Sequence, residues 1–209
     1  MGTSLYFVIA AVAYLLGSIP FGLILVRVAR GEDVRLTGSG NIGATNVARA
    51  GGARLGIVTL ILDALKGYVA VALAIAASHR YNSLDLGLAA ALAALFAILG
   101  HVFPIWLRFR GGKGVATGVG AFVGLAPRAV LVVLAIFVVI VLISRYVSLG
   151  SMVASAVFPV LAYFLYRETS SVTDLAVMLA ASWLIILKHK ANIKRLLNGT
   201  ENRLQVRKS

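Results

Sequence analysis

The chain has no cysteine, only 7 Asp and Glu, and 13% charged residues in a length of 209. Without cysteine there are no disulfides, no thiolate metal sites and no cysteine nucleophile, and three scattered histidines leave little for zinc. Soluble domains average about a quarter charged residues, so a chain with roughly half that share lacks the polar surface to face water on all sides. What it has instead is apolar: 60% of the residues are hydrophobic, and the mean hydropathy is +0.96. Lipid is the solvent that suits such a composition. At about 20 apolar residues per helical crossing of a core about 30 Å thick, this length admits about six to eight crossings. It leaves no room for an appended soluble domain, so residues 1–209 read as a single multispan domain.

The shortage of acid leaves a formal net charge of +13. In a soluble protein that excess would suggest nucleic acid. In a multispan protein, Lys and Arg gather in cytoplasmic connections beside anionic headgroups, so nucleic acid is not the expected partner. Apolar runs fall at 5–26, 56–77, 85–107, 114–126, 128–144, 147–166 and 172–187. They predict an all-α integral membrane bundle of seven transmembrane helices. The fourth is short or partly re-entrant, since about 13 residues at 1.5 Å each reach only about 20 Å. The first run lacks a basic n-region and is too long for a signal h-region, so it is expected to be a retained span. Small residues in 87–94 and 114–120 would let helix backbones approach closely.

With seven crossings, 16 of the 20 Lys and Arg fall on one side. They are Arg27, Arg30, Arg35, Arg49 and Arg54; Arg108, Arg110 and Lys113; Arg145; and Lys188, Lys190, Lys194, Arg195, Arg203, Arg207 and Lys208. The other side holds Arg80, Arg128 and Arg167, and Lys66 lies within a span. This asymmetry predicts the N-terminus outside and the C-terminus in the cytoplasm.

Three polar clusters, at 37–49, 101–114 and 188–203, fall on the predicted cytoplasmic side, and one shared site is the economical reading. The first contains a G-x-G-x-x-G at Gly38, Gly40 and Gly43, but without the βαβ unit that a dinucleotide fingerprint requires. The second contains Gly111-Gly112-Lys113-Gly114, which is not a Walker A loop because Gly114 stands where Ser or Thr must follow the lysine. Both loops carry chemistry for anions: glycines that let N–H groups turn inward, a helix N-terminus downstream, and a nearby Arg49 or Lys113. Two phosphates are the expected ligands. Gly40, Asn41, Thr45, Asn46 and Arg49 would serve one, and Gly111, Gly112, Lys113 and Gly114 the other. The bland alternative is that the glycines serve turns and packing while the cations meet headgroups.

His189, three residues before Asn192 and so on one helical face, is a candidate phosphate donor or base. His101 stands evenly between a core polar residue and a site residue, and His79 is read as incidental. Asp63 and Lys66, spaced i,i+3 inside the second run, are expected to neutralise each other. Glu201 is expected to anchor the tail by pairing with a loop arginine.

Five blocks carry a family resemblance. They are Gly17-Ser-Ile-Pro-Phe-Gly22, Gly38-Ser-Gly-Asn-Ile-Gly-Ala-Thr-Asn-Val-Ala-Arg49, Leu62-Asp-Ala-Leu-Lys-Gly67, Gly100-His-Val-Phe-Pro104 with Phe109-Arg-Gly-Gly-Lys-Gly-Val-Ala-Thr117, and Lys188-His-Lys-Ala-Asn-Ile-Lys-Arg-Leu-Leu-Asn-Gly-Thr-Glu201. In this order they closely resemble the bacterial acyl-phosphate:glycerol-3-phosphate acyltransferases, the PlsY family, over nearly the whole chain. The resemblance implies a multi-pass enzyme of the bacterial inner membrane, its active site facing the cytoplasm and needing no metal or cofactor. It implies acyl phosphate as donor and glycerol 3-phosphate as acceptor, with lysophosphatidic acid and phosphate as products. It also leaves room for functional coupling to an acyl-phosphate-producing enzyme. By motif position, Ser39 and Arg49 look essential, 111–114 looks like the glycerol 3-phosphate loop, His189 and Asn192 look like activity residues, and Glu201 looks structural.

An acyl phosphate is already activated, so positioning and electrostatics would suffice without a catalytic triad. Lys113 and Arg49 would hold phosphates, while Ser39, Thr45 or Asn46 and backbone N–H groups orient the reacting carbonyl. Either His189 or a substrate phosphate oxygen would take the proton, and Ser39 as an acylated nucleophile is a further variant. The rival from another class is a transporter for a phosphorylated solute, and a non-catalytic lipid-binding scaffold is a third reading. Against transport, polar groups within the spans are few beyond Asp63, Lys66 and His101.

Overall fold

The computed structural model describes residues 2–166 and 171–204, which divide into two compact units, Met1–Leu125 and Ala126–Ser209. Arg167, Arg207 and Lys208, counted in the charge asymmetry, lie outside the described residues. The first unit contains α1 (Gly2–Gly17), α2 (Phe21–Arg30), α3 (Ala44–Gly51), α4 (Ala53–Arg80), α5 (Leu86–Val102) and α6 (Val115–Val123). Single 3-10 turns lie at Val34–Leu36 and Ile105–Leu107. The second contains α7 (Pro127–Ser144), α8 (Val147–Tyr166), α9 (Val172–Lys188) and α10 (Lys190–Leu197). Among the described residues there is no strand.

Five stretches are long and apolar enough to cross a membrane: Thr3–Arg30, Ala53–Arg80, Leu86–Leu107, Pro127–Ser144 and Val147–Tyr166. The pair α9 and α10, bent by 53°, makes a sixth if taken as one span. The fourth run condenses into the nine residues of α6, about 13 Å at 1.5 Å per residue, well short of a hydrocarbon core. Large apolar side chains such as Phe7, Leu131, Leu142, Phe164 and Trp183 point outward, as lipid-facing positions do.

The first run is not one helix. It breaks at Ser18-Ile19-Pro20, because Pro20 has no N–H to continue the ladder and its ring biases Ile19 away from helical geometry. The last run also departs from expectation. His189 and Asn192 were expected on one face of a continuous helix, but the bend falls at His189, which ends α9 and opens α10.

Small residues set the packing of the first unit. In α5, Ala89, Ala90, Ala91, Ala93, Ala94 and Ala97 are all fully buried. A Cβ on Gly17 would sit 2.1 Å from the Ala97 carbonyl oxygen, and one on Gly100 2.2 Å from that of Tyr14, so α1 and α5 touch backbone to backbone. Gly67 and Gly120 do the same for α4 and α6, against Thr117 and Ala64. Where lipid removes the hydrophobic drive between helices, such close approach gives dispersion its full effect.

Candidate active site

The first glycine loop rests on an apolar nucleus of Leu23, Val26, Val34, Ile42 and Val47. Gly22 of α2 presses on it so closely that a Cβ would fall 1.9 Å from the Ile42 carbonyl oxygen. Asn46 shapes the loop from below. Its amide nitrogen lies 3.0, 3.1 and 2.9 Å from the carbonyl oxygens of Val34, Thr37 and Asn41, and its Oδ1 accepts the Ser39 N–H at 2.8 Å. Asn46 is 2% exposed, so its amide is engaged in organising the loop rather than presented to a ligand. Gly38 follows from this arrangement, since it sits at φ +56 with the position of a Cβ 2.4 Å from Asn46 Oδ1.

Two further N–H groups are committed inside the loop, Gly40 to the Thr37 carbonyl and Gly43 to Asn41 Oδ1. The loop is therefore less open to anions at 39–43 than its glycines suggested. What remains is the start of α3, where Gly43 offers no capping side chain, with Ser39 and Thr45 exposed; Arg49 is exposed as well, in the last turn of that helix. Uncapped helix N-termini leave N–H donors for an anion.

The second loop is stitched back onto the end of α5. Gly111 N–H donates to the Val102 carbonyl at 3.1 Å and Gly112 N–H to that of His101 at 3.0 Å. Gly114, at φ +84, turns the chain into α6 and again leaves the helix without a side-chain cap. Lys113 is half-buried beside that N-terminus. Just upstream, Arg108 and Phe109 both adopt positive φ, a strained conformation for residues with a Cβ, held by N–H donation to Ile105 and Pro104.

The buried pair forms as the spacing predicted. Lys66 Nζ lies 2.8 Å from Asp63 Oδ1 and donates to the Ile19 carbonyl at 2.8 Å. His101 joins the pair, its Nδ1 3.6 Å from Asp63 Oδ1, a contact 38 positions away along the chain that no local pattern announces. Tyr14 is another residue the sequence did not single out; its hydroxyl donates to the Phe103 carbonyl at 2.6 Å, tying α1 to the approach of the second loop.

In the second unit, His189 is 2% exposed, with Nδ1 2.8 Å from the Ile185 carbonyl. A carbonyl oxygen only accepts, so Nδ1 carries the hydrogen and Nε2 is the basic nitrogen of the neutral ring. Asn192, also buried, donates through Nδ2 to Glu201 Oε1 at 2.7 Å. Glu201 collects two further donors, Ser148 Oγ at 2.7 Å and Arg195 Nε at 2.7 Å. Its arginine partner is thus on α10, not in a loop as expected. Arg203 meets the Tyr146 hydroxyl, and Leu204 N–H donates to the Arg145 carbonyl, completing the anchorage of the tail.

Burial alone would raise the Glu201 pKa, but the donors Ser148, Asn192 and Arg195 outweigh it and hold the carboxyl below its ordinary 4.5. A lowered folded-state pKa stabilises above the unfolded value, and that stabilisation is lost as pH falls through the folded one. The Tm of the wild type is therefore expected to drop more steeply than that of Glu201→Gln as pH falls below 4.5. Parallel Tm curves for the two proteins would show that the carboxylate does not hold α10.

The fold and its loops define a polytopic membrane protein in which two glycine loops open uncapped helices. The family model described as glycerol-3-phosphate acyltransferase matches residues 7–199. A protein of that name from Rhizobium meliloti (strain 1021) is 52% identical over 192 residues, covering 91% of this chain and 88% of its own. One from Syntrophotalea carbinolica is 48% identical over 203 residues, covering 97% and 99%. Two crystal structures of PlsY (YgiH), an integral membrane glycerol 3-phosphate acyltransferase, also match. The glycerol 3-phosphate form has TM-score 0.85 at 36% identity, covering 96% of each chain. The lysophosphatidic acid form has TM-score 0.80 at 35% identity, covering 95% of this chain and 94% of its own. The chain belongs to the glycerol-3-phosphate acyltransferase family, and it is a multi-pass membrane acyltransferase.

Proposed function

We propose that this enzyme transfers a fatty acyl group from acyl phosphate to the 1-hydroxyl of sn-glycerol 3-phosphate, yielding lysophosphatidic acid and inorganic phosphate in phospholipid synthesis. The observation that carries this reading is the pair of glycine loops, each opening an uncapped helix, with Lys113 just before α6 and Arg49 in the last turn of α3. Two phosphorylated substrates call for two such anion sites. The solved relatives, in glycerol 3-phosphate and lysophosphatidic acid forms, support the acceptor and the product.

In the reaction, the 1-hydroxyl oxygen of glycerol 3-phosphate forms a bond to the acyl carbonyl carbon. The bond from that carbon to the phosphate oxygen breaks, and inorganic phosphate leaves. Lys113 and the first N–H groups of α6, at the turn that Gly114 makes, hold the acceptor phosphate, while Gly111 and Gly112, whose N–H groups are bonded to the end of α5, fix the loop that carries them. Arg49 and the first N–H groups of α3 hold the donor phosphate, Gly40 and Asn41 shape the loop through their bonds to Thr37 and Gly43, and Ser39 and Thr45 orient the carbonyl whose oxygen gains charge. Asn46 serves by keeping that loop in shape, and Asn192 by linking His189's helix to Glu201. The hydroxyl proton passes to His189 Nε2 or to a phosphate oxygen. No metal or cofactor takes part. The chain acts as one multispan domain of the bacterial inner membrane, with α6 as a short or re-entrant fourth segment, the N-terminus outside, and both loops facing the cytoplasm. It works coupled to an acyl-phosphate-producing enzyme, which supplies its donor.

The test is phosphate release by the purified protein in lipid, from palmitoyl phosphate with glycerol 3-phosphate. Release is expected only with both substrates and not with palmitoyl-CoA as donor. Lys113→Ala removes a charged phosphate contact of about 2 kcal/mol, so kcat/KM for glycerol 3-phosphate is expected to fall about 30-fold. Folded protein that releases nothing, yet carries glycerol 3-phosphate into sealed vesicles, would replace the enzyme reading with a transporter.

A further inference from the structure

A chain of buried polar groups in the first unit leads from the break after α1 to the second glycine loop. The Ile19 carbonyl accepts from Lys66, Lys66 pairs with Asp63, and Asp63 lies 3.6 Å from Nδ1 of His101. The opposite edge of the imidazole lies against Gly112, where a Cβ would fall 2.0 Å from Nε2. All three side chains are 4% exposed or less.

Burying ionisable groups costs several kcal/mol each before pairing, and helix packing alone does not require it. The rest of α5 packs with alanines. The polar groups are concentrated at the end of α5 to which the loop is stitched, on the very residue whose carbonyl accepts the Gly112 N–H. His101 therefore grips Gly112 twice, once through backbone and once through its ring.

We infer that His101, braced by the Asp63–Lys66 pair, is a positioning residue for the loop at 111–114, its ring setting where Lys113 and the first N–H groups of α6 stand. The inference rests on the proposed reading of that loop as the glycerol 3-phosphate site. It assigns the buried cluster a part in binding and not only in mutual neutralisation.

The two glycines separate the ring from the backbone. The three atoms nearest a Cβ on Gly112 all belong to the His101 ring. A Cβ on Gly111 would instead meet the His101 carbonyl oxygen at 2.1 Å and the Pro104 ring, which no change of side chain at 101 removes. Gly112→Ala should therefore be coupled to His101, and Gly111→Ala should not.

The experiment measures KM for glycerol 3-phosphate and kcat for the wild type, His101→Ala, Gly112→Ala, Gly111→Ala and the doubles H101A/G112A and H101A/G111A, all in lipid. H101A is expected to raise KM about tenfold with kcat within about twofold, the pattern of lost binding rather than lost chemistry. G112A is expected to raise KM more than about tenfold beside the ring but less than about threefold without it, a coupling within the range of residues in contact. G111A should cost the same in both backgrounds. A G112A penalty independent of the ring, or an H101A variant that loses Tm while keeping KM, would overturn the inference. Hydrogen exchange at 111–114 in ligand-free protein separates the two levels. Faster exchange in H101A supports positioning even if the wild type proves not to consume glycerol 3-phosphate, whereas unchanged exchange rejects positioning whatever the substrate. If H101A does not fold, His101→Gln removes the ring, keeps a polar side chain beside Asp63, and carries the same cycle.

Discussion

Lys66→Met is expected to destabilise the enzyme by about 3–5 kcal/mol, the usual cost of removing one member of a buried ion pair. Lys66 and Asp63 are 4% and 2% exposed and 2.8 Å apart. Without the ammonium, the ionisable neighbour left to Asp63 among the described residues is His101, at 3.6 Å, and the Ile19 carbonyl, which also accepts the Phe21 N–H, loses its side-chain donor at the break between α1 and α2. The penalty belongs to the stranded carboxylate more than to any strength of the pair. The double replacement Asp63→Leu with Lys66→Met is accordingly expected to recover most of the stability, since swapping both charges for apolar groups of similar volume is often near neutral. Arg35→Ala supplies the contrast. Its pair with Asp33 is exposed on the arginine side, and such pairs contribute about 0–1 kcal/mol. Unfolding in detergent micelles would rank the three variants. A K66M protein within about 0.5 kcal/mol of wild type, the range of ordinary surface substitutions, would mean that water or another donor reaches Asp63.

That pair was legible in the sequence because a charge inside an apolar run demands a partner and i,i+3 spacing supplies one. Run length likewise marked α4, α5, α7 and α8, since nothing but a lipid-facing helix needs so many consecutive apolar residues. The break in the first run carried a signal, Pro20, that the count of apolar residues overrode. The bend at His189 carried none: no Pro or Gly stands there, and the turn is visible only in the backbone. His101 was undecided because its partner is 38 positions away, and long-range contacts leave no periodicity to read. The glycine loops announced chemistry for anions but not their internal bonding. A run of small polar residues looks the same whether its amides face a ligand or one another, and in the first loop several face one another.

Asn46→Asp is expected to lower kcat/KM by about 100- to 1,000-fold, more than Asn46→Ala, although Asp is the closer match in shape. The order follows from hydrogen-bond polarity. Oδ1 of Asn46 accepts the Ser39 N–H, a bond that aspartate keeps, while the amide nitrogen faces three carbonyl oxygens at 2.9 to 3.1 Å. Aspartate puts a second acceptor where all three partners are acceptors, and a stranded charge costs more than the about 1–3 kcal/mol of a lost neutral bond. Alanine takes one donor from each of these carbonyls, of which Val34 keeps the Thr37 hydroxyl and Thr37 keeps the Gly40 N–H, and it adds no repulsion, while exposed Ser39 and Gly40 let water into the gap. Were Asn46 instead a direct phosphate ligand, the alanine variant would raise KM while the empty loop stayed intact. Hydrogen exchange at 39–43 in ligand-free protein decides between the two roles. Faster exchange in both variants, greatest in Asn46→Asp, identifies the residue as the loop's internal brace, and wild-type exchange with impaired turnover would move it into contact with substrate.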